Sequence, residues 1–143
     1  MFTKFIKFSE KRGLSEAKLE VELQNVAAKH KFCPVIHSVK WAADGCTISM
    51  DNLGAMCLAD KYGDKASDLP VSIWPKIHKI LSTLYEVEGV EYIDITPYNF
   101  IEKDDVIYII DFGDAYYTKS GKAVNWFLRD FLDGSYEWNP DFK

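Results

Sequence analysis

Basic residues are outnumbered in this 143-residue chain: 17 Lys and Arg against 22 Asp and Glu give a formal net charge of -5. Gripping nucleic acid by its phosphates needs a basic surface, so the balance argues against direct nucleic-acid binding. An acidic groove holding a divalent metal stays compatible. Cysteine is also sparse. Cys33, Cys46 and Cys57 are odd in number, widely spaced, and form no C-x-x-C pair or His/Cys cluster that would suggest zinc. They predict a reduced, cytoplasmic setting. Long uncharged apolar runs are missing too. The stretch from Met1 to Phe8 carries Lys4 and Lys7 and soon reaches Glu10 and Lys11, so it reads neither as a signal peptide nor as a spanning helix. Targeting segments, internal repeats and low-complexity tracts are absent, and no membrane association is expected.

What the chain does have is apolar material. With 48% hydrophobic and 15% aromatic residues it can fill the core of one compact domain. Residues 2 to 8 alternate imperfectly and read as a strand. After Arg12-Gly13, Ser15 is a candidate cap, and Glu16 to Lys31 carries Leu19, Leu23, Val26, Ala27 and His30 at helical spacing. Val35 to Ala43 and Cys46 to Met50 then read as a hairpin around Asp44-Gly45, a dipeptide suited to a tight turn with positive φ.

The pattern weakens from Gly54 to Leu69, with a short helix near Ala55 to Asp60, and this is the best boundary between two parts. From Ser72 the signal is strong. Pro75 suits a first helical turn, Trp74, Ile77, Ile80, Leu81 and Leu84 make one stripe, and Gly89 can close the helix. Short apolar pieces follow at Tyr92 to Ile95, Phe100-Ile101 and Val106 to Ile110, the last after a turn at Lys103-Asp104-Asp105. A final helix is predicted over Lys122 to Leu132, and Trp138-Asn139-Pro140 reads as an irregular tail.

The chemistry concentrates in Tyr92-Ile93-Asp94-Ile95-Thr96-Pro97-Tyr98-Asn99 and Ile110-Asp111-Phe112-Gly113. Phosphoryl transfer needs charge neutralised by magnesium and an acceptor hydroxyl held in line, so oxygen ligands and one positioned carboxylate are the minimum equipment. Asp94, Asn99 and Asp111 supply those groups. This segment resembles the catalytic loop and metal-binding motif of the protein kinases, whose pattern is H-R-D-L-x-x-x-N followed by D-F-G at the end of a strand. By that resemblance Asp94 would orient the nucleophile, and Asn99 with Asp111 would hold Mg2+ beside ATP. Ile48-Ser49-Met50-Asp51-Asn52-Leu53-Gly54 looks like the strand and hinge lining the adenine pocket, which puts Met50, Asp51 and Leu53 against the nucleotide. Phe5-Ile6-Lys7 looks like the V-A-I-K strand, so Lys7 would reach the phosphates. Glu22 would be its partner on the following helix, with Glu20 in reserve.

Lys122 to Leu128 is similar to the helix after the metal motif in small atypical kinases, such as that of the KEOPS tRNA-modification complex. The trimming also resembles virus-encoded or effector kinases. The implied fold is α+β: a single, minimal two-lobed kinase-like domain over residues 1–143. Its N-lobe, about residues 1–54, would hold a small antiparallel sheet and one helix, and a truncated, mainly helical C-lobe would span about 55–143. Departures accompany the likeness. Only six residues precede Lys7, leaving no room there for a glycine-rich loop; Tyr92, Ile93 and Thr96 replace the family's His, Arg and Lys; and eight residues separate Gly113 from Lys122, with nothing like A-P-E after them. Two functions are therefore expected: an ATP-dependent Ser/Thr protein kinase acting on a presented protein substrate, or a pseudokinase that binds and regulates a partner protein.

Overall fold

Phe2–Lys7 forms the first strand, β1, in which Phe2, Lys4 and Ile6 share one face and Thr3, Phe5 and Lys7 the other. Only Ile6 of these is buried. The structure, a computed structural model, describes residues 1–142. Leu14–Lys29 is the helix α1. It starts at Gly13, whose N–H donates to Glu16 (3.4 Å); Ser15, expected to cap, sits inside the first turn and donates its hydroxyl to the Glu16 carboxylate. Ala17, Glu20, Leu23, Gln24 and Ala27 form its buried stripe.

Ile36–Ala42 (β2) and Gly45–Met50 (β3) form a hairpin, and the antiparallel sheet runs in the order β1-β3-β2. Phe2 stands opposite Met50, Lys4 opposite Ile48 and Ile6 opposite Cys46. The hairpin turn differs from expectation. Its two loop residues are Ala43 and Asp44, neither has a positive φ, and Gly45 is already paired in the strand. Closeness, not turn geometry, demands the glycine: a Cβ on Gly45 would lie 2.2 Å from the Ile6 carbonyl oxygen. The expected positive φ instead appears at Asp104 (52°) and Asp105 (65°), between the strands Phe100–Lys103 and Val106–Ile109.

Beyond Met50 come the short helix Leu58–Tyr62 (α2), later than Ala55 to Asp60, and the helix Trp74–Glu86 (α3), with Pro75 in its first turn. The α3 stripe of Trp74, Ile77, Ile80, Leu81 and Leu84 is buried as the spacing predicts. Val90–Glu91 (β4) pairs with Tyr116–Tyr117 (β7), a strand the pattern did not announce. Phe100–Lys103 (β5) pairs with Val106–Ile109 (β6). Tyr92 to Ile95, apolar enough for a strand, is irregular, with Tyr92 and Ile95 buried and Ile93 and Asp94 half-buried. Trp126–Leu132 (α4) begins four residues later than Lys122 because Asn125 caps it, accepting from the Phe127 and Leu128 amides.

Among the described residues the architecture is α+β, with small antiparallel sheets and four α-helices. Its apolar side chains fall into two clusters. Ile6, Ala17, Cys46, Ile48 and Met50 make the smaller one, between α1 and the three-stranded sheet. The larger surrounds α3 and includes Leu23 and Ala27 of α1, so this helix enters both. No helix among the described residues is long and apolar enough to cross a membrane.

Candidate functional site

The segment from Tyr92 to Asn99 is folded on itself by short backbone bonds: Ile95 N–H to Ile93 O (2.8 Å), Thr96 N–H to Asp94 O (3.0 Å) and Asn99 N–H to Thr96 O (3.2 Å). Asn99 is buried and its side-chain amide also donates to Asp94 O (3.0 Å), so the five-residue spacing closes a loop. Two bonds fix that loop to the end of β6. Ile110 N–H donates to Asn99 O (2.9 Å), and the Tyr92 hydroxyl donates to Ile110 O (2.7 Å). Asp94, Asn99 and Asp111 are thereby gathered in one region. Burial lifts the Asp94 carboxyl above the ordinary carboxylate range; the Asn99 amide opposes this, and the charges of Asp111 and Asp114 reinforce it.

Asp111 adopts a left-handed backbone (φ 64°), uncommon for a residue with a side chain. Its neighbours make that conformation tenable. Phe112 is buried edge-on to Tyr92 at 5.4 Å, and Gly113 N–H donates to Asp111 Oδ1 (3.1 Å). The Asp111 carboxylate stays exposed, and Lys4 Nζ lies 3.7 Å from Oδ1.

Lys4, not Lys7, holds the buried glutamate. Its ammonium is 2.5 Å from Oε2 of Glu20, which is 3% exposed. Strand alternation decides between the lysines: Lys4 shares the face of Ile6, toward α1, while Lys7 faces out and makes no ion pair among the described residues. Helical spacing decides between the glutamates. Glu20 lies three residues from Ala17 and from Leu23, in the buried stripe, while Glu22 is two residues, about 200°, round the helix. Glu22 is exposed, and its carboxylate, with burial and the charge of Glu88, pushes the Tyr117 phenol up to about 12. The expected Lys7–Glu22 pair is therefore corrected to Lys4–Glu20.

A cavity of about 320 Å³ opens beside this pair. Met50, Asp51 and Leu53 line it, with Lys4, Ile110 and Asp111. Its wall is mostly apolar, and its charged lining side chains are Lys4, Asp51 and Asp111, with Lys4 beside Asp111. Among the described residues no group of three His, Cys, Asp or Glu side chains could hold a metal ion. Asn99 and Asp111 offer an amide oxygen and one carboxylate. That set fits Mg2+, which keeps several waters and shares one or two protein oxygens with a phosphate, better than an ion caged by protein alone.

Two residues of the site went unrecognised in the sequence. Arg12, which the sequence shows only as a residue between the first strand and the first helix, donates Nη2 to Gly113 O (2.9 Å) and brings Nη1 to 3.8 Å from Glu20 Oε1, an oxygen with no hydrogen-bond partner. It ties the start of α1 to the turn after Asp111. Asn139, in the irregular tail, is buried and bonds the Asp94 loop from behind. Neither gives a local signal, because each acts on backbone remote in sequence. Compared with protein-family models and with curated proteins, the chain matches none.

Proposed function

We propose that the chain is a minimal protein kinase that moves the γ-phosphate of ATP to a Ser or Thr hydroxyl of a protein. One observation carries the reading: Lys4 touches both Glu20 and Asp111 at the mouth of a cavity lined by Met50, Asp51 and Leu53, next to the loop holding Asp94 and Asn99. In this reading the adenine lies against Met50 and Leu53, and Lys4, steadied by Glu20, meets the α- and β-phosphates. Asn99 and Asp111 would hold Mg2+, which would neutralise charge on the phosphates when bound. Asp94 accepts the proton of the attacking hydroxyl. The hydroxyl oxygen forms a bond to the γ-phosphorus as the bond to the β-bridging oxygen breaks, and ADP leaves. The Asp94 carboxyl, lifted by burial, keeps more affinity for that proton than an exposed aspartate would.

The second reading is a pseudokinase that binds and regulates a partner protein. Exposed Phe2 and Phe5 of β1 and Trp41 of β2 favour it, since large apolar side chains left open on a sheet suit a protein contact. One set of measurements separates the two. For the kinase, Mg2+ and ATP raise the melting temperature and label passes from [γ-32P]ATP to a generic protein acceptor. Lys4→Ala and Asp111→Asn each weaken nucleotide binding at least tenfold, Asp94→Asn keeps binding but loses transfer, and Lys7→Ala changes neither. A well-folded protein showing no stabilisation and no transfer would sink the kinase reading and leave the binding module.

A further inference from the structure

The segment after α4 has no regular structure, yet it is docked. Trp138 is buried against Trp74 of α3 (ring centroids 4.6 Å) and near Phe100 of β5 (6.4 Å), although its indole N–H finds no partner there. Tyr136 stacks parallel to Trp74 as well (5.8 Å, 4° between planes). This aromatic contact delivers the next residue, Asn139, which is 2% exposed, to the back of the Asp94 loop.

Asn139 uses its side chain and backbone together. Its Nδ2 donates to Ile93 O (2.8 Å) and its backbone N–H donates to Ile95 O (2.8 Å). Those carbonyls flank Asp94 on both sides. The carbonyl between them, that of Asp94, is taken by the Asn99 amide and the Thr96 N–H. All three successive carbonyls are thus committed, two of them to a single residue more than forty positions away. Asn139 Oδ1 meanwhile accepts from Asp141 N–H (3.0 Å), which fixes which end of the amide faces the loop.

We infer that Asn139 is a positioning residue for Asp94: the tail sets the backbone from which that carboxylate projects. The inference rests on the phosphotransfer reading for its kinetic consequence, though not for its geometry. Asn139 lines no part of the nucleotide cavity. Losing its amide donor should therefore slow transfer without weakening ATP. Holding a carboxylate in its productive orientation is a large part of what a catalytic scaffold supplies, and a small misplacement is enough to slow the reaction.

The test compares Asn139→Asp, which keeps the size and the acceptor oxygen but lacks the amide donor, with Asn139→Ala and Tyr136→Ala. Tyr136→Ala loosens the tail without touching the loop. Expected for both Asn139 variants are a fall in kcat of at least tenfold, a KM for ATP within twofold of the original, and at least tenfold faster hydrogen exchange at the Ile95 and Thr96 amides. Tyr136→Ala should lower the melting temperature and leave all three readings unchanged. The inference is overturned if exchange at Ile95 and Thr96 in Asn139→Asp matches the unaltered protein, or if its KM for ATP shifts as much as its kcat does. Should the unaltered protein transfer no phosphate, the proposed function fails on its own. The exchange comparison then still decides whether Asn139 holds the loop.

Discussion

The two apolar clusters differ in how far each can stand alone. The larger wraps α3 and is closed by aromatics from distant segments, Trp74, Phe131, Tyr136 and Trp138 among them, so it is held from several directions. The smaller is one layer of Ile6, Cys46, Ile48 and Met50 with Ala17 of α1 against it, and the outer face of its sheet is exposed at Thr3, Phe5 and Lys7. Glu20 lies on α1 between Ala17, which belongs to the small cluster, and Leu23, which belongs to the large one. The Lys4–Glu20 pair therefore sits where the helix passes from one core to the other. The sheet carrying Lys4 is the part that can shift at least cost, while Asp94, Asn99 and Asp111 are rooted in the stronger part.

The largest effect should come from breaking the strong part. Phe112 is fully buried edge-on to Tyr92, and Phe112→Ala should cost about 3–5 kcal/mol, the usual range for an aromatic ring removed from a core. Exchange protection should fall in α3 and the sheet alike. Ile48→Ala removes a side chain just as buried, but from the thin layer. Its cost should be nearer roughly 2 kcal/mol, with β1 to β3 loosened and α3 still protected. Uniform loss across both regions in Ile48→Ala would erase the distinction.

A charge at the seam comes next. Lys4→Met leaves the Glu20 carboxylate buried with only Arg12 nearby, at 3.8 Å, and should cost roughly 2–4 kcal/mol, read as a lower urea midpoint at constant slope. Replacing both partners, Lys4→Met with Glu20→Leu, should recover most of that, since no charge is then stranded. Lys7→Met, on the outer face, should stay within about 0.5 kcal/mol. Equal losses from Lys4 and Lys7 would mean that the buried pair does not matter to the junction.

These contrasts mirror what could be read in advance. The α3 stripe was legible because its apolar residues repeat at helical spacing and the polar ones do not intrude. The motif from Asp94 to Asp111 was legible because its geometry is local, a loop followed by a hairpin. The lysine was misread for a physical reason: Phe5, Ile6 and Phe8 surround both Lys4 and Lys7 with apolar residues, so period-two alternation has no clear phase until Ile48 and Cys46 show which face is covered. Glu20 and Glu22 were equally ambiguous on a helix that carries Glu16, Lys18, Glu20, Glu22 and Lys29. Gly45 looked like a turn residue because the close approach of the Ile6 carbonyl is a fact of pairing, not of sequence. The tail looked irregular, and it is; what its residues bond to lies far upstream.

The smallest expected effect on stability comes from the residue proposed to matter most for transfer. Burial, aided by Asp111 and Asp114, raises the Asp94 carboxyl, so the native state binds its proton more tightly than the unfolded chain does. Between the ordinary aspartate value of 3.8 and the raised one, stability contributed by this group falls as pH rises, and above that window the ionised form is a net burden. Asp94→Asn, close in shape to the protonated acid, removes the burden. Its melting temperature should equal that of the unaltered protein below the ordinary aspartate range and match or slightly exceed it at pH 7, although transfer is lost. Lys4→Met moves the other way, losing stability and nucleotide binding together. Thermal melts of Asp94→Asn across this range decide the matter: destabilisation at every pH would mean that the carboxylate makes a stabilising contact, and that strain at this site is not what the loop is built to hold.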